Sequence, residues 1–276
     1  MAFKISINVV FCTNMNEGEQ KFSIDKHSLE RFSFLFQHTD IPKSVFLKAE
    51  QSIQDNPYHN FPHELNVAEN AIRIALAEFR NRKELNLLGT SGLFHDSGHT
   101  GIPKDNDEEN ANEIMFARLE PEEIATLGDD PEITKEILGI LVLGTKFKDR
   151  GKSEDPLVQI LQDADLSLLA GDEYEVAYGS MKLLDEFNIV KDEKISPSTF
   201  LRETQKKFIE YVVNMSPTKK EFWLTDGAKK IFRNPLETIS KFENWSDKAI
   251  NFTYEAHKNK LQFDEYKQGI TRLNNK

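Results

Sequence analysis

A single cysteine, Cys12, is the only thiol in 276 residues, so no internal disulfide can form and a reducing compartment is indicated. Long apolar runs are missing too. No stretch reaches the roughly 18 to 20 residues of a membrane span. The N-terminus lacks the apolar segment of a signal peptide. A cytoplasmic protein without a membrane partner is therefore expected. Positive charge is also in deficit, with 35 Lys and Arg against 46 Asp and Glu and a formal net charge of −11. That argues against a non-specific grip on duplex nucleic acid, which needs clustered cations. An acidic chain that handles phosphates is expected to do so through metal ions.

β-signal is nearly absent. Phe3, Ile5, Ile7, Val9 and Phe11 alternate with Lys4, Ser6 and Asn8, the period of a half-buried strand. Asn16-Glu17-Gly18-Glu19 would turn that strand back into Phe22-Ile24 as a small hairpin. Elsewhere the periodicity is helical. Leu65, Ala68, Ile72, Ala75, Leu76 and Phe79 share one face of a helix starting after His63. Leu85, Leu87, Leu88 and Leu93 lead a second helix into His95-Asp96. Asp107 reads as the N-cap of a helix over 108–119. Asp130-Pro131 and Asp155-Pro156 read as N-cap plus first-turn proline starts of two more. Further helices are expected over 173–187, 198–214 and 225–240, with a last one after Ser246 and a polar tail that frays from Lys258. This spells an all-α helical bundle. Residues 1–45 read as an N-terminal extension and 46–276 as the helical domain.

Three clusters carry the chemistry: Tyr58-His59-Asn60-Phe61-Pro62-His63, then His95-Asp96-Ser97-Gly98-His99, then Asp163-Ala164-Asp165. Imidazole and carboxylate together are the ligand set for zinc, iron or manganese. His59 and His63, four apart, share a helical face. His63, His95, Asp96 and Asp165 form a ligand set that leaves coordination positions open, as a catalytic metal needs. Asp165 borders the apolar stripe of its helix, whereas Asp163 falls on the opposite, more solvated side, so Asp165 is the expected ligand and Asp163→Ala is expected to be mild. Asp96, Glu108 and Glu109 offer oxygens for a second ion, magnesium or manganese. Two ions a few ångströms apart suit hydrolysis at phosphorus. His99 reads either as a phosphate contact or as an orienter of metal-bound water.

The order of these motifs resembles the HD-domain metal-dependent phosphohydrolases, and in detail the class I cyclic-nucleotide phosphodiesterases. Tyr58 to His63 is similar to their tyrosine-His-Asn-x-x-His motif, Ala164-Asp165-Leu166-Ser167 to their alanine-Asp-leucine-serine segment, and His95 to Gly101 to their His-Asp-x-x-His-x-Gly motif without its usual proline. The resemblance implies an HD-domain bundle in which His59 is the general acid, His63, His95, Asp96 and Asp165 hold metal, and Glu109, of the pair Glu109-Asn110, contacts metal-bound water. Gln205-Lys206-Lys207-Phe208-Ile209 resembles their Gln-x-x-Phe-Ile segment, implying that Gln205 holds the base edge and Phe208 stacks on it. Gln205, Phe208 and Tyr58 are thus the expected substrate-binding residues. Residues 1–45 show no such match.

The expected activity is hydrolysis of a cyclic nucleotide or related nucleotide phosphoester, a small-molecule substrate, by a metal-activated hydroxide. Three alternatives stand beside it: hydrolysis of nucleotide monophosphates or pyrophosphates, nucleotide binding without turnover, and di-iron oxygenase chemistry. The last usually needs additional histidine ligands, and none occurs between His99 and His257. Oligomeric state is not legible.

Overall fold

A computed structural model describes residues 26–101, 104–190 and 194–274, and among them every regular element is a helix. The hairpin read at residues 3–24 lies outside the described residues. The chain opens with α1 (Lys26–His38) and α2 (Lys43–Glu50), followed by α3 (Phe61–Ala77) and α4 (Arg82–Phe94). α5 (Asp107–Arg118), α6 (Pro121–Leu127) and α7 (Pro131–Leu143) come next, then α8 (Pro156–Asp165), which runs into a 3₁₀ segment, Leu166–Ala170. α9 (Glu173–Val190) precedes α10 (Pro197–Thr199), a π-helical turn (Phe200–Thr204) and α11 (Gln205–Met215). α12 (Asp226–Ile231), α13 (Pro235–Ser240), α14 (Asp247–Lys258) and α15 (Phe263–Asn274) complete it. No helix among the described residues is long and apolar enough to cross a membrane.

α4 is the axis of the site-bearing half. Leu85 to Phe94 are all buried, since they are apolar or small on every side except at Asn86, whose Oδ1 accepts from the Asp40 amide at 2.8 Å. Its start is set by a capping box in which Asn81 accepts from the Lys83 and Glu84 amides while Glu84 reaches back to the Asn81 amide. α3 packs along it, with α7 and α8 also against it. The contact needs Gly92, because a Cβ there would lie 2.8 Å from the Ala68 Cα. Only four residues join α3 to α4, so the two run antiparallel, and the start of α3 meets the end of α4. That arrangement brings His63 to His95. Gly92→Ala is expected to force the helices apart at a cost of about 1–3 kcal/mol. Denaturant unfolding checks this, and an unchanged midpoint would contradict it.

Several sequence expectations shift. Leu76 is exposed and Phe79 is 92% exposed, because α3 ends at Ala77. Phe79 takes the left-handed conformation with φ of 60°, and the Arg80 amide returns to the Ala75 carbonyl at 3.0 Å. The stretch 225–240 is two helices, since Asn234 caps a new start at Pro235 by accepting from the Leu236 amide at 3.1 Å. The helix at 107–118 is preceded by Asn106, while the Asp107 carboxylate accepts from the Lys104 amide at 2.6 Å. Proline at the first turn also starts α6, which periodicity did not signal. The polar tail folds as α15, because Tyr266 and Ile270 fall one helical turn apart and are fully buried. Residues 26–45 supply Phe32, Leu35, Ile41 and Val45 to the same core as the rest.

Candidate metal centre

His63, His95, Asp96 and Asp165 converge from α3, the end of α4 and the end of α8, their ligand atoms all within 4.8 Å of one another. His63 Nε2 lies 3.4 Å from both Asp96 Oδ2 and Asp165 Oδ1. His95 Nε2 lies 3.1 and 3.3 Å from the same two oxygens. Both Nε2 atoms are buried without a hydrogen-bond partner. Orphaned buried imidazole nitrogens are costly unless something compensates them. Two imidazoles and two carboxylates around one point suit a divalent cation. Glu64 strengthens that reading: its Oε2 and the Gly92 carbonyl both lie 3.0 Å from His95 Nδ1, placing the ring proton there and leaving Nε2 as the ligand atom. A signal for Glu64 was present, since it shares the buried face of Val67, Ala68 and Ala71, where a carboxylate demands a partner.

The electrostatics follow from burial opposed by pairing. Burial pushes the His63 imidazole down, but Asp165 and Asp96 outweigh it and hold it at about 9. Burial opposes charging of His95 as well, yet Asp96 and Glu64 raise it well above the usual range. Burial lifts the Glu64 carboxyl to about 7 despite the charge of His95. Burial also opposes ionisation of Asp96 and Asp165, and the histidines beside them win, holding both below the usual carboxylate range. A cation binding at Nε2 must displace a proton from His63. Loading at pH 7 should therefore release protons. The sign is fixed by the raised value: release should diminish as pH rises through about 9, where His63 has already lost its proton. Calorimetric titration in buffers of differing ionisation enthalpy measures this, and metal uptake without proton release at pH 7 would contradict the ligand role of His63.

Beside this centre stand His59, His99 and Glu186. Glu186 Oε1 is hydrogen-bonded to His59 Nδ1, and its Oε2 accepts from the Tyr58 and His59 amides at 3.0 and 3.1 Å. His59 Nε2 therefore faces the His63, His95, Asp96 and Asp165 cluster, 4.0 Å from Asp96 Oδ2. The His99 ring lies 4.2 Å from the His59 ring. Its Nδ1 accepts from the Gly101 amide at 3.0 Å, a turn for which Gly101 adopts φ of 79°. The other nitrogen, Nε2, lies 3.7 Å from Asp107 Oδ2. Burial, then the neighbouring His59 charge, lowers His99 from the usual imidazole value. No local spacing marks Glu186, which lies 127 residues from His59 in the chain.

A cavity of about 460 Å³ opens onto both groups. Tyr58, His59, His95, Asp96, His99 and Asp165 line its polar end. Gln205 and Phe208 line it too, together with Phe147, Phe187 and Phe200. Gln205 follows directly on the π-helical turn, donates from Nε2 to Ser180 Oγ at 3.2 Å and is 3% exposed. The Phe208 ring stacks on Phe147 with centroids 5.3 Å apart and planes 17° from parallel. The carboxylates at the rim are Asp105, Asp107 and Glu108. Glu109, favoured from sequence, does not line the cavity and is paired instead with Lys146 Nζ, because the next helical position turns it some 100° away. Glu108 takes its place at the cavity.

The reading of Asp163 as solvated is also corrected. Asp163 is fully buried, with Arg150 Nη2 at 2.7 Å and the Leu224 amide, the Thr225 amide and the Thr225 hydroxyl donating to it at 2.9–3.0 Å. Partners from distant segments satisfy this carboxylate, and it takes no part in the cavity.

No protein-family model matches the chain, and no curated protein matches it. Among solved structures, the phosphodiesterase domain of Salpingoeca rosetta rhodopsin phosphodiesterase is similar, with 16% identity, TM-score 0.59 and coverage of 87% of this chain and 92% of that one. A second structure of the phosphodiesterase domain of this fusion protein from the same choanoflagellate aligns at 15% identity and TM-score 0.61, over 86% of this chain and 94% of that one. The chain shares the fold of those domains.

Proposed function

We propose that this chain is a metal-dependent phosphodiesterase acting on a cyclic nucleotide or a related nucleotide phosphoester. One observation carries the reading: a single cavity lined by His95, Asp96 and Asp165 of the cluster and by His59 extends to an aromatic and amide wall at Phe208 and Gln205. The likeness to phosphodiesterase domains supports it. Zinc, iron or manganese would be held by those four ligands, with magnesium or manganese as a second ion beside Asp96 and Glu108, and such ions supply Lewis-acid polarisation of phosphoryl oxygens and an acidified water.

The chain's own residues do the rest. Glu186 fixes His59 through Nδ1, so Nε2 presents its proton to the leaving oxygen as general acid. Phe208 and Phe147 offer a flat apolar surface for a base. Gln205 lies within the same cavity wall and offers its amide to the base edge. His99 donates from Nε2 towards the phosphoryl group, since its Nδ1 is occupied by Gly101.

Metal analysis combined with a hydrolysis screen over cyclic mononucleotides and dinucleotides tests the reading, and a metal-loaded protein inert on all of them would overturn it. A sharper expectation concerns proton transfer. His59→Ala should keep its metal yet lose about 10²–10⁴ in rate on a nucleotide substrate, the usual worth of a positioned general acid. The loss should shrink on bis(p-nitrophenyl) phosphate, whose leaving group needs no proton. Equal losses on both would assign His59 to substrate positioning instead.

A further inference from the structure

A second cavity, of about 410 Å³, lies on the other side of Tyr58 and Leu168, which line both spaces. Its character is opposite. Where the first is walled by phenylalanines beyond the metal cluster, the second presents Asn66, Asn70, Ser167, Glu175 and Lys182. The α3 helix explains the placement: His63, Asn66 and Asn70 follow at i, i+3 and i+7, so the polar stripe that carries the metal ligand continues into this cavity. Asn66 and Asn70 both donate from Nδ2 to Ser167 Oγ at 3.0 Å. With both lone pairs of that oxygen engaged, the Ser167 hydroxyl is left as a donor. Arg31 holds Asn66 in place through its Oδ1 at 3.1 Å.

We infer that this cavity receives the ribose of the leaving half of a linear nucleotide diester, so that the substrate spans Tyr58, with one base against Phe208 and the departing sugar among Asn70, Ser167 and Glu175. The inference rests on the phosphodiesterase reading. Three features select this occupant. The lining offers donors and acceptors of both charge signs, with Arg31 and Lys182 as well as Glu175, which suits hydroxyls that donate and accept. His59 adjoins Tyr58, with ring centroids 4.8 Å apart, so the leaving oxygen it protonates lies at the partition between the two cavities. The two volumes, about 460 and 410 Å³, are each of the size of a small-molecule site. Hydrolysis adds water across the phosphorus–oxygen bond, giving a nucleoside monophosphate and a nucleoside. The leaving oxygen takes its proton from His59, and water supplies the replacement.

The test uses the full chain, with Asn70→Leu to fill the cavity and Ser167→Ala to remove one donor. Hydrolysis of adenylyl-(3′,5′)-adenosine is compared with that of cyclic AMP, whose leaving oxygen remains tethered. Each variant should lose about tenfold or more in kcat/KM on the dinucleotide, in line with a buried polar group losing its partner, and less than about twofold on cyclic AMP. If Asn70→Leu unfolds, Ser167→Ala provides the reading. Equal losses on both substrates, no loss on either, or cleavage of cyclic AMP without cleavage of the dinucleotide overturns the inference. If neither substrate is cleaved with any metal, the phosphodiesterase reading itself fails. Calorimetric binding of the dinucleotide then decides the cavity: affinity weakened tenfold in Asn70→Leu upholds it, and unchanged or absent binding overturns it.

Discussion

Asp165→Asn should cost the protein its metal and nearly all of its hydrolysis. The substitution keeps the shape of the side chain but removes the charge of the Asp165 carboxylate, whose Oδ1 lies 3.3–3.4 Å from the paired imidazole nitrogens. Losing a partner one bond further out typically weakens metal affinity 10–100-fold, so loss of the ligand itself should exceed roughly 100-fold. The fold should survive, because Asp165 sits at the end of α8 and is only half-buried, with no helix cap depending on it. Elemental analysis after dialysis, paired with rate measurements and a circular dichroism spectrum, checks all three statements. Full metal content with full activity would mean the cluster is a structural knot of histidines and carboxylates.

Asp163→Ala should do the reverse, leaving the metal ligands intact while undermining the fold. Removing this carboxylate strands the Arg150 guanidinium, itself 2% exposed, and takes an acceptor from the Leu224 and Thr225 amides. Breaking one partner of a buried pair costs about 3–5 kcal/mol. Against a whole-domain stability of about 5–15 kcal/mol, that is enough to shift the denaturant midpoint far downward or abolish folding at 37 °C. Adding Arg150→Met should recover part of the loss, since it removes the stranded charge. A single Asp163→Ala variant as stable as the parent would contradict the buried-network description. The two aspartates stand two residues apart, yet their expected failures are opposite in kind.

Helical periodicity assigns Asp163 and Asp165 to different faces, which is correct, but it ranks those faces by the apolar residues of α8 alone. The face of Asp163 is covered by Arg150 and by Leu224-Thr225, segments 13 and about 60 residues away, and nothing within one helix announces them. Glu108 and Glu109 part for a similar reason: adjacent carboxylates differ by a rotation of about 100°, and only the position of α5 decides which faces the cavity.

The sequence by itself determined the helical class of the described chain, most helix starts, and four residues that converge in one cluster able to hold a metal ion. Those features rest on local physics: 3.6-residue periodicity, side-chain caps and prolines at first turns; the spacing of His59 and His63 does not put them on one turn, because α3 begins only at Phe61 and His59 lies before its extended N-cap, Asn60. Tertiary structure alone decided that Glu186 anchors His59, that Asp163 is a buried counter-charge, that the tail from Phe263 packs as α15, and that a polar cavity adjoins the aromatic one across Tyr58. Each of these depends on contacts between elements far apart in the chain, where the energy of burying a charge or an apolar face is set by whatever surface arrives to cover it.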